Sequence, residues 1–180
     1  MPNWVKNAAH ILTLTVAFFS IGLLTRIPAL YFSEIYALHA LLASPFYAIL
    51  VGCYLETYKK IYPVAAAIVI YGAYLGSMHF IMALGAIAPL LFTLGVYFLL
   101  LNSDFEKRVF FAATIYASLG YPITVLSGLS FGNYHLAWSS EQIIFLILYC
   151  IVSISLGVIG ALLGIKIASS LSKQDPSESR

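Results

Sequence analysis

From Ile61 to Ser103 the chain carries no Asp, Glu, Lys or Arg over 43 consecutive residues. As one helix that run would be about 65 Å long, roughly twice the ~30 Å hydrocarbon thickness of a bilayer, so it has to cross, turn and cross back. The rest of the sequence agrees: 62% of the 180 residues are hydrophobic, 9% are charged, and mean hydropathy is +0.96, which no soluble domain of this size matches. Lys6 precedes the first apolar run but no A-x-A-like cleavage site follows it, so the run reads as a membrane helix and not as a removable signal.

Apolar runs of about 20 residues predict six spans, at 8–25, 34–55, 61–77, 81–101, 108–129 and 140–168, with 169–180 as a polar cytoplasmic tail. The expected fold is an all-α integral membrane protein, one membrane domain over 1–180, since the short alternating strands of a membrane barrel are lacking. Breaks are expected at Arg26-Ile-Pro28, Glu56 to Lys60, Gly76-Ser-Met-His79 and Asn102 to Arg108. Placing both termini in the cytoplasm puts Lys6, Lys59, Lys60, Lys107, Arg108, Lys166, Lys173 and Arg180 inside and Arg26 alone outside. The inverted topology would translocate both the Lys59-Lys60 and Lys107-Arg108 pairs, against the positive-inside rule.

That orientation gathers the polar chemistry on the outer side. Arg26, Tyr31, Glu34 and Tyr36 come from the first loop, with His39 a turn deeper, His79 from the second loop, and Asn133, Tyr134, His135, Trp138 and Glu141 from the third. An aromatic belt with snorkelling charges explains Tyr, Trp and Arg one at a time. It needs no histidines, yet three of the four lie near this rim, and polar groups at membrane depth face a cavity or one another. Small residues recur every fourth position elsewhere: Ala9, Thr13 and Ala17 on the first helix, Gly160, Gly164 and Ala168 on the last. Each stripe is either an internal packing face or a docking face for a separate protein.

Gly128-Leu-Ser130-Phe-Gly132 matches the G-x-S-x-G pattern of nucleophilic serines, as in six-helix rhomboid-type proteases. The context is against it. Ser130 follows a membrane helix and not a strand, and the sixth span has no histidine to serve as its base, so no catalytic residue is assigned. Gly128 and Gly132 are instead expected to turn the chain at the outer end of the fifth helix, with Asn133 to Trp138 as a lid and Ser139 and Gln142 at capping-box spacing. Cys53 and Cys150 are single thiols without a C-x-x-C. His39, His79 and Tyr36 are suitable donors for a metal or haem iron, but no spacing puts two ligands on one helical face, so neither metal nor cofactor is assigned. There is no Walker loop for ATP, the longest cytoplasmic loop is about seven residues, and every carboxylate lies at a span end or beyond. What remains is an outward pocket with no motor of its own.

The Ser44-Pro45-Phe46-Tyr47 entry to an apolar run ending at Glu56, the stretch Ser118-Leu119-Gly120-Tyr121-Pro122, and the ending Gly157-Val-Ile-Gly160-Ala161-Leu-Leu-Gly164-Ile-Lys166 carry a resemblance over nearly the full length. The chain resembles the substrate-binding S-components of energy-coupling factor (ECF) transporters, including their Trep_Strep-type members. The resemblance implies a subunit of a prokaryotic plasma membrane that captures a vitamin-like or cofactor-like micronutrient from outside. It also implies a separate coupling membrane subunit and two ABC-type ATPases as partners, beside membrane lipid and without nucleic acid. The family's A-x-x-x-A docking face falls on Ala9, Thr13 and Ala17, where the middle alanine is a threonine. Substrate binding is then expected from Arg26, Tyr31, Glu34, Tyr36, His39, His79, Tyr134, His135 and Trp138. The alternative is a small membrane scaffold or assembly factor that binds no ligand.

Overall fold

A computed structural model describes residues 2–32, 37–131 and 140–174. Among them are six helices and no strand: α1 (Asn3–Tyr31), α2 (Leu38–Tyr58), α3 (Tyr62–Met78), α4 (Phe80–Leu99), α5 (Phe105–Ser130) and α6 (Ser140–Gln174). Five are long and apolar enough to cross a membrane; α3 is apolar but has 17 residues. The chain is a multi-pass membrane protein by this measure, with an exterior to match: Leu12, Leu24, Leu91 and Ile144 are each more than 60% exposed, as lipid-facing side chains are.

The helix ends depart from the expected breaks where lipid changes the energetics. Arg26-Ile-Pro28 does not end α1, which continues to Tyr31 with Pro28 inside it. A proline removes one backbone bond, but ending the helix in an apolar surround would strip several, so membrane helices carry prolines that soluble ones reject. α2 likewise runs past Glu56 and stops at Lys59, which takes a left-handed conformation (φ 54°) and donates its N–H to the Leu55 carbonyl at 2.9 Å. α6 reaches Gln174, so the first residues of the expected tail are helical. Gly128 does not turn the chain: it is buried within α5.

Neighbours in sequence pack antiparallel. Gly72 faces Ala86 and Ile87 while Gly76 faces Ala83, the pairing of a hairpin folded at His79, the one residue between α3 and α4. α2 and α6 instead run parallel and in close contact. A Cβ on Gly160 would collide with the Pro45 carbonyl, and one on Gly164 would lie 2.6 Å from the Ile49 carbonyl oxygen, so only glycine permits this approach. The α6 stripe is therefore an internal face, and Ala168 is buried with it. The α1 stripe has the opposite fate: Ala9 and Thr13 are exposed and Ala17 is half-buried.

Serines join α2, α6 and α5. Ser44 Oγ donates to the Ser153 carbonyl at 3.1 Å, and Ser153 Oγ donates to the Ser118 carbonyl at 3.2 Å. The second bond has a local cause: Pro122 has no N–H to give the carbonyl four residues before it, so the acceptor that α5 leaves open is filled from α6. Around these contacts lies a close-packed core that includes Ala48, Val51, Leu55, Val109 and Ala113.

Candidate functional site

Alternate helix directions bring the end of α1, the start of α2, the end of α3, the start of α4 and the second half of α5 to one end of the bundle. A cavity of about 320 Å³ lies between these five helices. Its rim includes Arg26 and Leu30 from α1, Ala37 and His39 at the start of α2, and Met78 and Met82 from the α3–α4 hairpin. It reaches inward to Tyr47, about 15 Å along α2 from Ala37, which is half the depth of the hydrocarbon region.

The floor is aromatic. Phe18 lies beneath it, fully buried, with ring centroids 5.2 Å from Tyr47, 5.9 Å from Tyr71 and 5.9 Å from Tyr116. Tyr47 and Tyr71, from α2 and α3, bring their hydroxyl oxygens to 2.8 Å. Gly22 makes room for that pair, because a Cβ there would stand 2.5 Å from Tyr71 Oη. Phe19 turns its ring edge-on to Tyr71 and Tyr74, at 5.3 and 4.7 Å, and closes the α1 side. On the far wall Gly120 has open space at its Cβ position and Thr124 Oγ1 is tied back to the Gly120 carbonyl at 2.7 Å, which leaves this side smooth and low.

Of the residues expected at the site, Arg26 and His39 line this cavity. Tyr31 ends α1 with 83% of its surface exposed, outside the lining. His79 also stands outside it and caps α4, where its Nδ1 accepts from the Ile81 N–H at 3.3 Å. Glu34, Tyr36, Tyr134, His135 and Trp138 lie outside the described residues. The fourth histidine, His10, is at the opposite end of the bundle, its ring 4.4 Å from Tyr58 and 5.7 Å from Tyr54. Ser130 is the exposed last residue of α5. No three His, Cys, Asp or Glu side chains converge among the described residues.

Sequence reasoning passed over Tyr47, Tyr71 and Tyr116, the residues that shape the floor. The available signal was their depth: each lies near the middle of its helix, where an interfacial belt cannot account for a tyrosine. The whole arrangement can hold a small molecule by stacking and by a few directed hydrogen bonds. No protein-family model, curated protein or solved structure matches the chain.

Proposed function

We propose that this chain is the substrate-capturing membrane subunit of an ATP-driven micronutrient uptake system, an S-component of ECF type, and that it performs no chemistry on what it binds. The observation that carries the reading is the cavity itself: about 320 Å³, lined by Arg26, His39 and a tyrosine cluster, at one end of an otherwise tightly packed helical bundle. Small-molecule sites have this size and this mixture of apolar wall with few polar groups. A bundle that served only to hold partner helices would gain stability by filling that space.

The topology follows from charge. All six helices cross the membrane, α3 with the help of its flanking residues, and both termini are cytoplasmic. The Lys59-Lys60 and Lys107-Arg108 pairs then lie inside, and the cavity end lies outside, facing the medium of a prokaryotic cell. Substrate enters beside Arg26, Ala37 and His39. The lid expected from Asn133 to Trp138 lies outside the described residues.

With no nucleotide-binding loop in the sequence, release to the inside needs an external motor, supplied by a coupling membrane subunit with two ATPases. The exposed Ala9–Thr13 face of α1 is the surface offered to that subunit, since the matching stripe on α6 is consumed within the fold. Purified in detergent, the protein should carry or take up a small molecule and gain thermal stability from it, and pull-down from native membranes should recover an ABC-type ATPase pair. A scaffold would give neither result, and failure of both would end this proposal.

A further inference from the structure

We propose that the cavity takes a planar aromatic carboxylic acid of one or two fused rings, its carboxylate at Arg26 and His39 and a ring acceptor atom at the Tyr47–Tyr71 hydroxyl pair. This rests on the cavity being a ligand site, and it adds the charge, shape and polarity of the ligand.

Charge comes from the rim. Arg26 and His39 both line the cavity, and among the described residues lining it there is no Asp or Glu. The Arg26 guanidinium donates and does not accept, and the His39 imidazole can donate from one ring nitrogen, so a cation meets repulsion at Arg26 and a neutral group leaves the guanidinium without a charged acceptor. A carboxylate answers both groups.

Polarity at the floor follows from counting protons. Two tyrosine hydroxyls 2.8 Å apart own two protons, and only one can lie between the oxygens. The other has no acceptor among the described residues and is free to be donated to a ligand. The floor therefore presents a donor, which selects a carbonyl oxygen or a ring nitrogen over a C–H or an N–H.

Shape follows from the walls and the volume. An apolar cavity of about 150 Å³ accommodates a benzene ring, so 320 Å³ admits about two fused rings. Phe19, Tyr47, Tyr71 and Tyr116 offer ring faces and edges against which a flat π-system packs with little conformational cost. Gly22 by the floor is one helical turn below Arg26, about 6 Å along the axis, and Tyr47 is about 12 Å below His39. A carboxylate and an acceptor at opposite ends of one bicyclic acid fit that separation.

The test is calorimetric titration of the full-length protein in detergent with four probes of one shape. These are a quinoline carboxylate with its acid and ring nitrogen at opposite ends, the corresponding naphthalene carboxylate, the quinoline methanol, and the quinoline methylamine. Quinoline carboxylate should bind at least about tenfold more tightly than the alcohol, with the amine weakest. Arg26→Gln should bring acid and alcohol to similar affinity, and a thermal unfolding midpoint of the unliganded variant close to that of the unsubstituted protein shows that it is folded. The double variant Tyr47→Phe/Tyr71→Phe should remove the preference for quinoline over naphthalene while keeping the preference for acid over alcohol, whereas either hydroxyl left alone still has a proton to donate. Equal affinity for acid, alcohol and amine overturns the ligand class and leaves the pocket standing. If none of the four binds while an unrelated micronutrient does, the class alone is again wrong; if nothing binds, the class falls together with the uptake reading.

Discussion

Gly22 and Ser153 show how single residues set the site and the frame around it. Because a Cβ at position 22 would stand 2.5 Å from Tyr71 Oη, Gly22→Leu must displace the hydroxyl pair and fill the cavity floor. Ligand affinity should fall at least about tenfold, and overpacking should cost the unliganded protein ~1–3 kcal/mol, read from thermal unfolding with and without ligand. Ser153 donates to a carbonyl that Pro122 leaves without its helical partner. Ser153→Ala should lower stability by about 0.5–1.5 kcal/mol in reversible unfolding from detergent, with ligand affinity changed less than about twofold, since neither Ser153 nor Ser118 lines the cavity. Arg26 and His39 were legible in the sequence because charge and imidazole are rare in apolar surroundings. Tyr47, Tyr71 and Tyr116 were not, because a tyrosine becomes a floor residue only through partners on other helices, 24 positions away in the case of the hydroxyl pair.

At the level of elements, the two small-residue stripes look alike in sequence and end in opposite places. Gly160 and Gly164 on α6 are buried against α2, where each glycine lies over a backbone carbonyl. Ala9 and Thr13 on α1 remain at the surface. Spacing alone cannot separate these outcomes, because internal and external docking ask the same thing of a helix face. The helix number and most boundaries were legible, since each span is a long apolar run. The end of α1 was misread at Pro28 because a rule for breaks in water was applied where unpaired carbonyls have no water to turn to. The exposed α1 face yields a separable prediction: Thr13→Trp should abolish recovery of the ATPase-bearing partner in pull-downs while leaving ligand affinity within about twofold. A variant that kept its partner would remove α1 as the docking helix.

For the whole molecule, sidedness is the property on which the uptake reading depends. In a background with Cys53 and Cys150 replaced, His79→Cys at the α3–α4 hairpin should react with an impermeant maleimide in intact cells. Lys60→Cys, between α2 and α3, should react only after permeabilisation. The reverse pattern would turn the cavity to the cytoplasm and invert the direction of capture. Arg108 and Lys59 stand over aromatic rings at the basic end, 5.2 Å from Tyr97 and 5.4 Å from Phe105, an arrangement suited to cations held at an interface.

On the proposed six-span topology, the helices that cross together are of unequal length. α3, at 17 residues, is about 25 Å long, whereas α1 and α6, at 29 and 35 residues, are about 43 and 52 Å. On that topology a bilayer of ordinary thickness thins beside the α3–α4 hairpin to the extent that the residues flanking α3 do not complete its span, while the long helices tilt or project. Hydrophobic mismatch is concentrated along the wall that carries Tyr71 and Met78, so acyl-chain length becomes a variable acting on the ligand site from outside the protein. Short-chain lipids would relax that wall and long-chain lipids would strain it, which makes the surrounding membrane a participant in how tightly the cavity holds its guest.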